Sequence, residues 1–358
     1  KILDPSAGMG NFPLIAYYKL MKGLKDVIRD KDRRRRHILE NMLYMVELNP
    51  INANMIRGLL GGKTSFNKRG YNLNIVTADF IKGKLLIGDK DLGCIKYDLV
   101  MGNPPYNSHQ KTVNKRGGGN SLWPYFVKKS ILLIGDKGFL TFVHPSGWRK
   151  PESGKSKYKG LFRCMAYDCT PLYIEMHDLN DGIKTFNSST RYDWYVIKRV
   201  KNMGYKTNIR DIQGKRLLLN LRRFSWLPNC KFHKIKSICD NNPQFDNSRI
   251  IYSRNAYGSD TKTSHKRSIL SRVKTSHYKH TVIHSCVERG VIVMYSSLKN
   301  RGHFGISKVI FSDGSLKKPI LDVGGKYGMT EHSMAIPIKS KRDGILLIKY
   351  LKSKYVIS

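Results

Sequence analysis

Acidic residues are scarce in this sequence. Among 358 residues, 26 Asp and Glu stand against 65 Lys and Arg, a formal net charge of +39. So large an excess calls for a polyanionic partner, and nucleic acid is the commonest one for a basic chain. Cysteine is also scarce. Six residues (Cys94, Cys164, Cys169, Cys230, Cys239, Cys286) are too few and too scattered for a disulfide scaffold. No CxxC pair points to zinc, and the thiols read as reduced or buried, with no metal site assigned. Long apolar runs are missing. Stretches such as 131–134 or 345–348 fall far short of the roughly 20 residues that a membrane helix needs. No secretory segment opens the chain, which starts at Lys1 on a strand pattern and reads as a fragment without its natural start. What is present suffices for a core: 40 % of residues are apolar and 10 % aromatic, which argues against disorder.

Charge and pattern divide the chain. Residues 1–200 carry 34 basic and 17 acidic side chains, and the remainder carries 31 and 9, so the shorter part holds the larger excess. The first part alternates short apolar runs with helical periods, the pattern of a doubly wound, mostly parallel α/β sheet. Strands are expected at 1–3, 42–46, 75–77, 97–101, 139–143, 173–176 and 194–198. The clearest helices are expected at 12–24, 52–60 and 121–134. The arginine run at 33–36 reads as a solvated helix face, and residues 112–120 read as a loop. Beyond Val200 strands become irregular and Lys, Arg, Ser and His dominate. A boundary is expected near 201–206, with an α+β domain over 201–358.

Three motifs sit at predicted strand ends. Asp4-Pro5-Ser6-Ala7-Gly8-Met9-Gly10-Asn11-Phe12 joins a strand to a helix, and its glycines let the backbone approach a nucleotide-like ligand at the helix amino terminus. Glu47 ends the second strand, where a carboxylate suits two ribose hydroxyls. Asp79 ends the third and suits an adenine amine, with Phe80 covering the ring. Together the two acids describe an adenosine pocket. The fourth strand runs into Gly102-Asn103-Pro104-Pro105-Tyr106. Its stiff Pro-Pro turn presents carbonyl oxygens beside the Asn103 amide oxygen, and Tyr106 offers a stacking face. Two acceptors aimed at a planar NH2 favour a more tetrahedral nitrogen as it attacks an electrophilic carbon.

On these residues the first 200 positions resemble the catalytic domain of S-adenosylmethionine-dependent DNA N6-adenine methyltransferases, of the gamma class and the Eco57I-like restriction-modification group. The segment Gly138 to Ser146 resembles that family's following strand, and Lys308–Ile310 through Lys326–Thr330 resemble its carboxyl-terminal ends. The resemblance implies a Rossmann-like class I fold with S-adenosylmethionine as cofactor. It assigns Asp4, Ser6, Ala7, Gly8, Gly10, Glu47, Leu48, Asp79, Phe80, Asn103 and Pro105 to cofactor binding. Asn103, Pro104, Pro105 and Tyr106 become the catalytic residues. A flipped target base would stack on Tyr106 and Phe186, with Tyr192 and Trp194 as alternatives for the latter. Residues 201–358 would read the target sequence, with the basic stretch 262–279 equally a loop or a DNA contact, and Asn241, Asn242, Gln244 and Arg249 among the base readers available. Double-stranded DNA is the implied partner, with a cognate restriction endonuclease as a second, in an intracellular, non-secreted setting. Two departures stand out. The family helix that precedes the glycine turn has no counterpart, which implies weaker cofactor binding, and the arginine run lengthens the gap from Gly10 to Glu47. RNA adenine or protein glutamine methylation, or nucleic-acid binding without catalysis, are the alternatives.

Overall fold

The computed structural model describes residues 1–107, 121–150, 158–240, 250–253, 257, 269–287, 289–312 and 315–353. The chain divides into two compact units, the first reaching Asn241 and the second running from Asn242 to Ser358.

The first unit contains β1 (Ile2–Asp4), α1 (Asn11–Gly23), α2 (Lys31–His37), β2 (Leu43–Glu47), α3 (Pro50–Leu59), β3 (Asn74–Thr77), a small hairpin of β4 (Leu86–Ile87) and β5 (Lys90–Asp91), β6 (Tyr97–Gly102), α4 (Trp123–Leu133), β7 (Ile134–Pro145), α5 (Leu161–Arg163), β8 (Thr170–His177), α6 (Leu179–Phe186), β9 (Tyr192–Lys198), β10 (Lys206–Arg210), β11 (Arg216–Asn220) and α7 (Phe232–Asp240). Nine strands form one sheet in the order β11-β10-β8-β9-β7-β6-β1-β2-β3. From β3 to β7 every pairing is parallel. β9 enters antiparallel between β7 and β8, and β11 closes the far edge antiparallel to β10. The sheet is therefore mixed, with a doubly wound parallel half.

Alternation along each strand builds the two faces. Tyr44 and Val46 of β2 pack with α4 in one core, whereas Leu43 and Met45 pack with α1 and α3 in another. All five residues of β2 are buried, as an interior parallel strand with both faces covered requires. The chain winds from β1 outward to β3, then returns to β6 on the other side of β1. That reversal opens a crevice at the carboxyl ends of β1 and β6, where α/β sheets bind ligands.

The expected boundary near residue 201 is corrected. β10 and β11 extend the main sheet, with Thr207, Ile209 and Leu219 buried. β10 pairs with β8, which is distant in sequence, so no local pattern announced it. The arginine run does form a helix, α2, but not a wholly solvated one. Arg34 is buried and donates to the carbonyls of Ile28 and Arg29, because a guanidinium with five donors can satisfy a chain bend from inside. Helix α3 starts two residues earlier than expected, on an Asn49 cap followed by Pro50. β7 starts at Ile134, so Gly138 lies within that strand.

The second unit has two four-stranded sheets and one described helix. β12 (Ile251–Tyr252), β19 (Ser333–Pro337), β16 (Lys308–Ser312) and β17 (Ser315–Asp322) form one sheet; β13 (Leu270–Ser271), β15 (Gly290–Ser296), β14 (His280–Val287) and β18 (Gly328–Met329) form the other. α8 (Lys341–Leu351) packs its Leu347, Ile348 and Leu351 with Val309 and Phe311. The loop expected at 112–120, residues Asn241, Asn242, Gln244 and Arg249, and part of the basic stretch 262–279 lie outside the described residues.

Candidate cofactor and methyl-transfer site

The turn after β1 is fixed before any ligand arrives. The Ala7 N–H donates to the Val46 carbonyl (3.0 Å) and the Gly10 N–H to the Ala7 carbonyl (2.8 Å). Gly10 sits at φ +91°, and a Cβ there would meet Ile56 of α3 at 3.1 Å, so glycine lets α1 begin against α3. Gly8, at φ +56°, faces open space: a Cβ would find nothing within 4 Å. That open side of the turn is where a ligand would approach.

Glu47 is buried and already employed. Its Oε2 accepts from the Gly8 N–H (2.8 Å), and its Oε1 from the Asn49 N–H (2.9 Å) and the Asn52 amide (3.4 Å). A carboxylate has about four acceptor positions, so one is left. Acceptance of two ribose hydroxyls therefore requires one of these donors to let go. Leu48 beside it is 68 % exposed, the apolar surface on which a ring could lie. Asp79 is half-buried, and its Oδ1 accepts from the Ile81 and Lys82 N–H groups (2.8 and 3.2 Å). Among the described residues no donor is within hydrogen-bond reach of Oδ2, which leaves it open to an amine.

Phe80 departs from its expected place. It is 2 % exposed and stacks on Phe126 of α4 with 5.1 Å between centroids. Its ring thus belongs to the core and offers no open face to a base; the stronger demand was apolar burial. Lys129 of α4 donates to the Phe80 carbonyl (2.5 Å) and lies over the same ring. Burial lowers the Lys129 pKa, opposed by Asp79 and Asp91. Sequence reasoning missed this clamp on the Asp79 turn, since a lone lysine on a helix gives no signal.

β1 and β6 meet at Gly102, where a Cβ would lie 2.8 Å from Asp4 Oδ1 and so displace it. Only glycine lets the first carboxylate of the cofactor turn rest on the strand that carries Asn103. Ser6 Oγ adds a bond to the Asn103 carbonyl at 3.4 Å. Asp4 itself is buried, its Oδ1 accepting from the Ser6 N–H (3.0 Å) and its Oδ2 without a partner. Burial pushes its carboxyl up to about 7, opposed by that N–H and reinforced by Glu47. A buried, unsatisfied carboxyl oxygen costs about 1–3 kcal/mol, and a cationic ligand group would satisfy it.

In the Asn103–Tyr106 turn Asn103 is exposed, Pro104 buried, and Pro105 and Tyr106 half-buried. The Tyr106 carbonyl accepts from the Leu122 N–H at the start of α4 (3.1 Å), and burial raises the phenol pKa. Its hydroxyl is buried and has no hydrogen bond among the described residues. Phe186, at the end of α6, meets the Tyr106 ring at 6.0 Å and 76°. The two rings form one edge-to-face surface, not a parallel slot. Tyr192 adjoins Phe186, whereas Trp194 packs on Tyr173, away from it.

Residues 30–182 match the model of the Eco57I restriction-modification methylase family. The methylase resemblance is borne out. The matched span includes Glu47, Asp79 and Asn103–Tyr106 and leaves the turn at 4–12 outside. S-adenosylmethionine is the cofactor that such a methylase implies, and the open turn at Gly8 and the unsatisfied Asp4 oxygen fit it. No curated protein matches the chain. Among solved structures it is similar to the Type IIL restriction-modification enzyme MmeI in complex with DNA: TM-score 0.57, 12 % identity, covering 97 % of this chain and 58 % of that one. It is also similar to the ATP-dependent Type ISP enzyme LlaBIII bound to DNA, with TM-score 0.52, 13 % identity and coverage of 94 % and 31 %. The M protein of the Type I restriction enzyme EcoKI aligns with TM-score 0.42, 18 % identity and coverage of 59 % and 43 %. The chain thus spans about half or less of the length of most of these proteins. Among the described residues no helix is long and apolar enough to cross a membrane.

Proposed function

We propose that this chain is the methylating part of a restriction-modification enzyme and transfers a methyl group to N6 of an adenine flipped out of duplex DNA. The observation that carries this reading is the meeting of the two turns at Gly102, which sets the Asp4–Gly10 cofactor turn against Asn103-Pro104-Pro105-Tyr106. When bound, S-adenosylmethionine supplies an electrophilic methyl carbon. Asp4 would take its ammonium, Glu47 one ribose hydroxyl, and Asp79 its adenine amine, with Leu48 against the ring. Asn103 Oδ1 and the carbonyl that follows it would accept both hydrogens of the target amine, bonds that strengthen as the nitrogen turns tetrahedral. Tyr106 would stack on the flipped base.

The second unit would supply sequence recognition. Residues 242–358 carry 21 basic and 7 acidic side chains, a surplus suited to phosphates, and the second unit has none of the cofactor or catalytic motifs. MmeI and LlaBIII, two proteins similar in fold over nearly the whole of this chain, are described in complex with or bound to DNA. The test is incubation with labelled S-adenosylmethionine and either duplex DNA or RNA, followed by identification of the modified base. N6-methyladenine in DNA, lowered about 100-fold or more in a folded Asn103→Ala variant that still binds DNA, is the expected result. Label found only in RNA or protein overturns the assignment.

A further inference from the structure

The end of β8 carries a group that methyl transfer leaves without a role. His177, the last residue of β8, lies face to face with Tyr192, the first of β9, with 4.3 Å between ring centroids and 2° between planes. Its Nδ1 is 3.2 Å from Asp181 Oδ2 in α6. Its Nε2 is buried without a hydrogen bond, 3.6 Å from Glu175 Oε1. Glu175 is committed elsewhere, accepting from Tyr173 Oη at 2.6 Å and Arg210 Nη1 at 2.7 Å. The imidazole is thus held by a stack and one contact to α6.

Tyr192 passes that position on. It is 6 % exposed, its hydroxyl lies 3.2 Å from Thr185 Oγ1 in α6, and Phe186 packs edge-on against its ring at 4.9 Å. Phe186 in turn meets Tyr106. Four rings therefore run unbroken from the catalytic turn to the end of β8. Phe186 closes α6, and Asn187 after it turns left-handed at φ +52°. With the helix ending there, the Phe186 ring lies against Tyr192 on one side and Tyr106 on the other, Tyr192 being the nearer.

We propose that His177 is a positioning residue of the target-base pocket, holding Tyr192 by its face-to-face stack so that Tyr192 fixes Phe186 against Tyr106. The pocket itself rests on the methyltransferase reading above; the stack's hold on α6 does not.

Two readouts on the full chain separate these. Hydrogen exchange of the α6 amides needs no nucleic acid, and single-turnover methylation with a parallel cofactor titration reports on the pocket. An aromatic pair is worth about a threefold to tenfold effect. His177→Ala should speed α6 exchange and lower the methylation rate by that factor while cofactor affinity stays unchanged. His177→Phe, which keeps a ring against Tyr192 without the imidazole nitrogens, should restore both; His177→Asn, which keeps a polar contact without a ring, should restore neither. Should the alanine variant fail to fold, the contrast between Phe and Asn decides the matter alone. Unchanged α6 exchange in His177→Ala, or rescue by Asn and not by Phe, overturns the proposal. His177-dependent α6 exchange in a wild-type protein that methylates no nucleic acid overturns the proposed function instead.

Discussion

In the first unit Arg149, just beyond β7, is 2 % exposed and reaches Asp193 with Nε and Nη2 while Nη1 bonds the Leu227 and Pro228 carbonyls and Asn229. In the second, Lys308 is fully buried and meets Asp322 at 2.6 Å with the carbonyls of Ile306 and Tyr327. Both are buried ion pairs that fasten a remote segment onto strands. Burial lowers the Lys308 ammonium from its ordinary value against the pull of Asp322. The difference lies in what surrounds them. At the strand ends of the first unit stand Asp4 Oδ2 and the Tyr106 hydroxyl, buried groups without a hydrogen bond to any described residue, where the described part of the Lys308 cluster is satisfied internally. Buried side-chain atoms without a hydrogen bond occur in both units, Ser253 Oγ in the second among them, so the contrast is one of place: in the first unit two of them stand together beside the turns that follow β1 and β6, whereas Lys308 and Asp322 satisfy each other inside their sheet.

Cutting the chain in the wrong place should do the first unit the greatest harm. A fragment ending at Val200 loses β10 and β11 and uncovers partners of Ile209, Leu219, Leu221, Phe224, Leu227 and Phe232, about 10 kcal/mol of burial and as much as a whole domain's stability. A fragment ending at Asp240 should melt cooperatively and bind cofactor, and the shorter one should aggregate. Equal melting temperatures would return the boundary to residue 200.

The ion pairs come next. Asp193→Ala strands a buried guanidinium and Asp322→Ala a buried ammonium, each at about 3–5 kcal/mol. Calorimetric melting should show the first variant losing the cofactor-binding transition and the second losing only the other. A single shared transition in both would mean that the units do not unfold separately.

A smaller effect sharpens the reading of the strand-end acids. Asp79→Ala should weaken cofactor binding by about 1–3 kcal/mol, because the adenine amine would lose its acceptor, and should also lower the stability of the free protein by about 1 kcal/mol, since Oδ1 accepts from the Ile81 and Lys82 N–H groups. Unaltered affinity in a calorimetric titration removes Asp79 from the site.

The smallest is a matter of pH. The Asp4 carboxyl, held near 7 by burial, stays protonated in the fold across a range where the unfolded chain has released its proton. Its contribution therefore falls as pH rises from the ordinary carboxyl range to about 7. A cationic group beside it favours the carboxylate, so cofactor affinity should rise with pH and level off above about 7, with a slope of at most tenfold per unit below. In Asp4→Asn this pH dependence should be flat; a slope that persists there would place the titrating group elsewhere.

Much of the site was legible because its residues occur in consecutive runs. Asp4–Phe12 and Gly102–Tyr106 each carry their turn chemistry within a few positions; Glu47 closes, and Asp79 follows by two residues, strands that periodicity alone located. What escaped depends on contacts across the chain. Lys129 reaches the Asp79 turn from a helix some 50 positions on, and His177 finds Tyr192 only because β8 and β9 pair. Phe80 was misplaced since its sequence position beside Asp79 matched a base-covering role, while Phe126, which takes its ring, is nowhere near it in sequence.

The sequence by itself determined the parallel half of the sheet, the nature of the two turns and the basic character of the second unit, because hydrophobic period, glycine and proline geometry and net charge are local or additive properties. Tertiary structure decided how those turns meet at Gly102, how many acceptor positions Glu47 has left, that Asp4 is an unsatisfied buried acid, and that residues 206–220 belong to the first sheet. Each of these is set by which distant groups are brought within hydrogen-bond or van der Waals range, and that is fixed only when the strands pair.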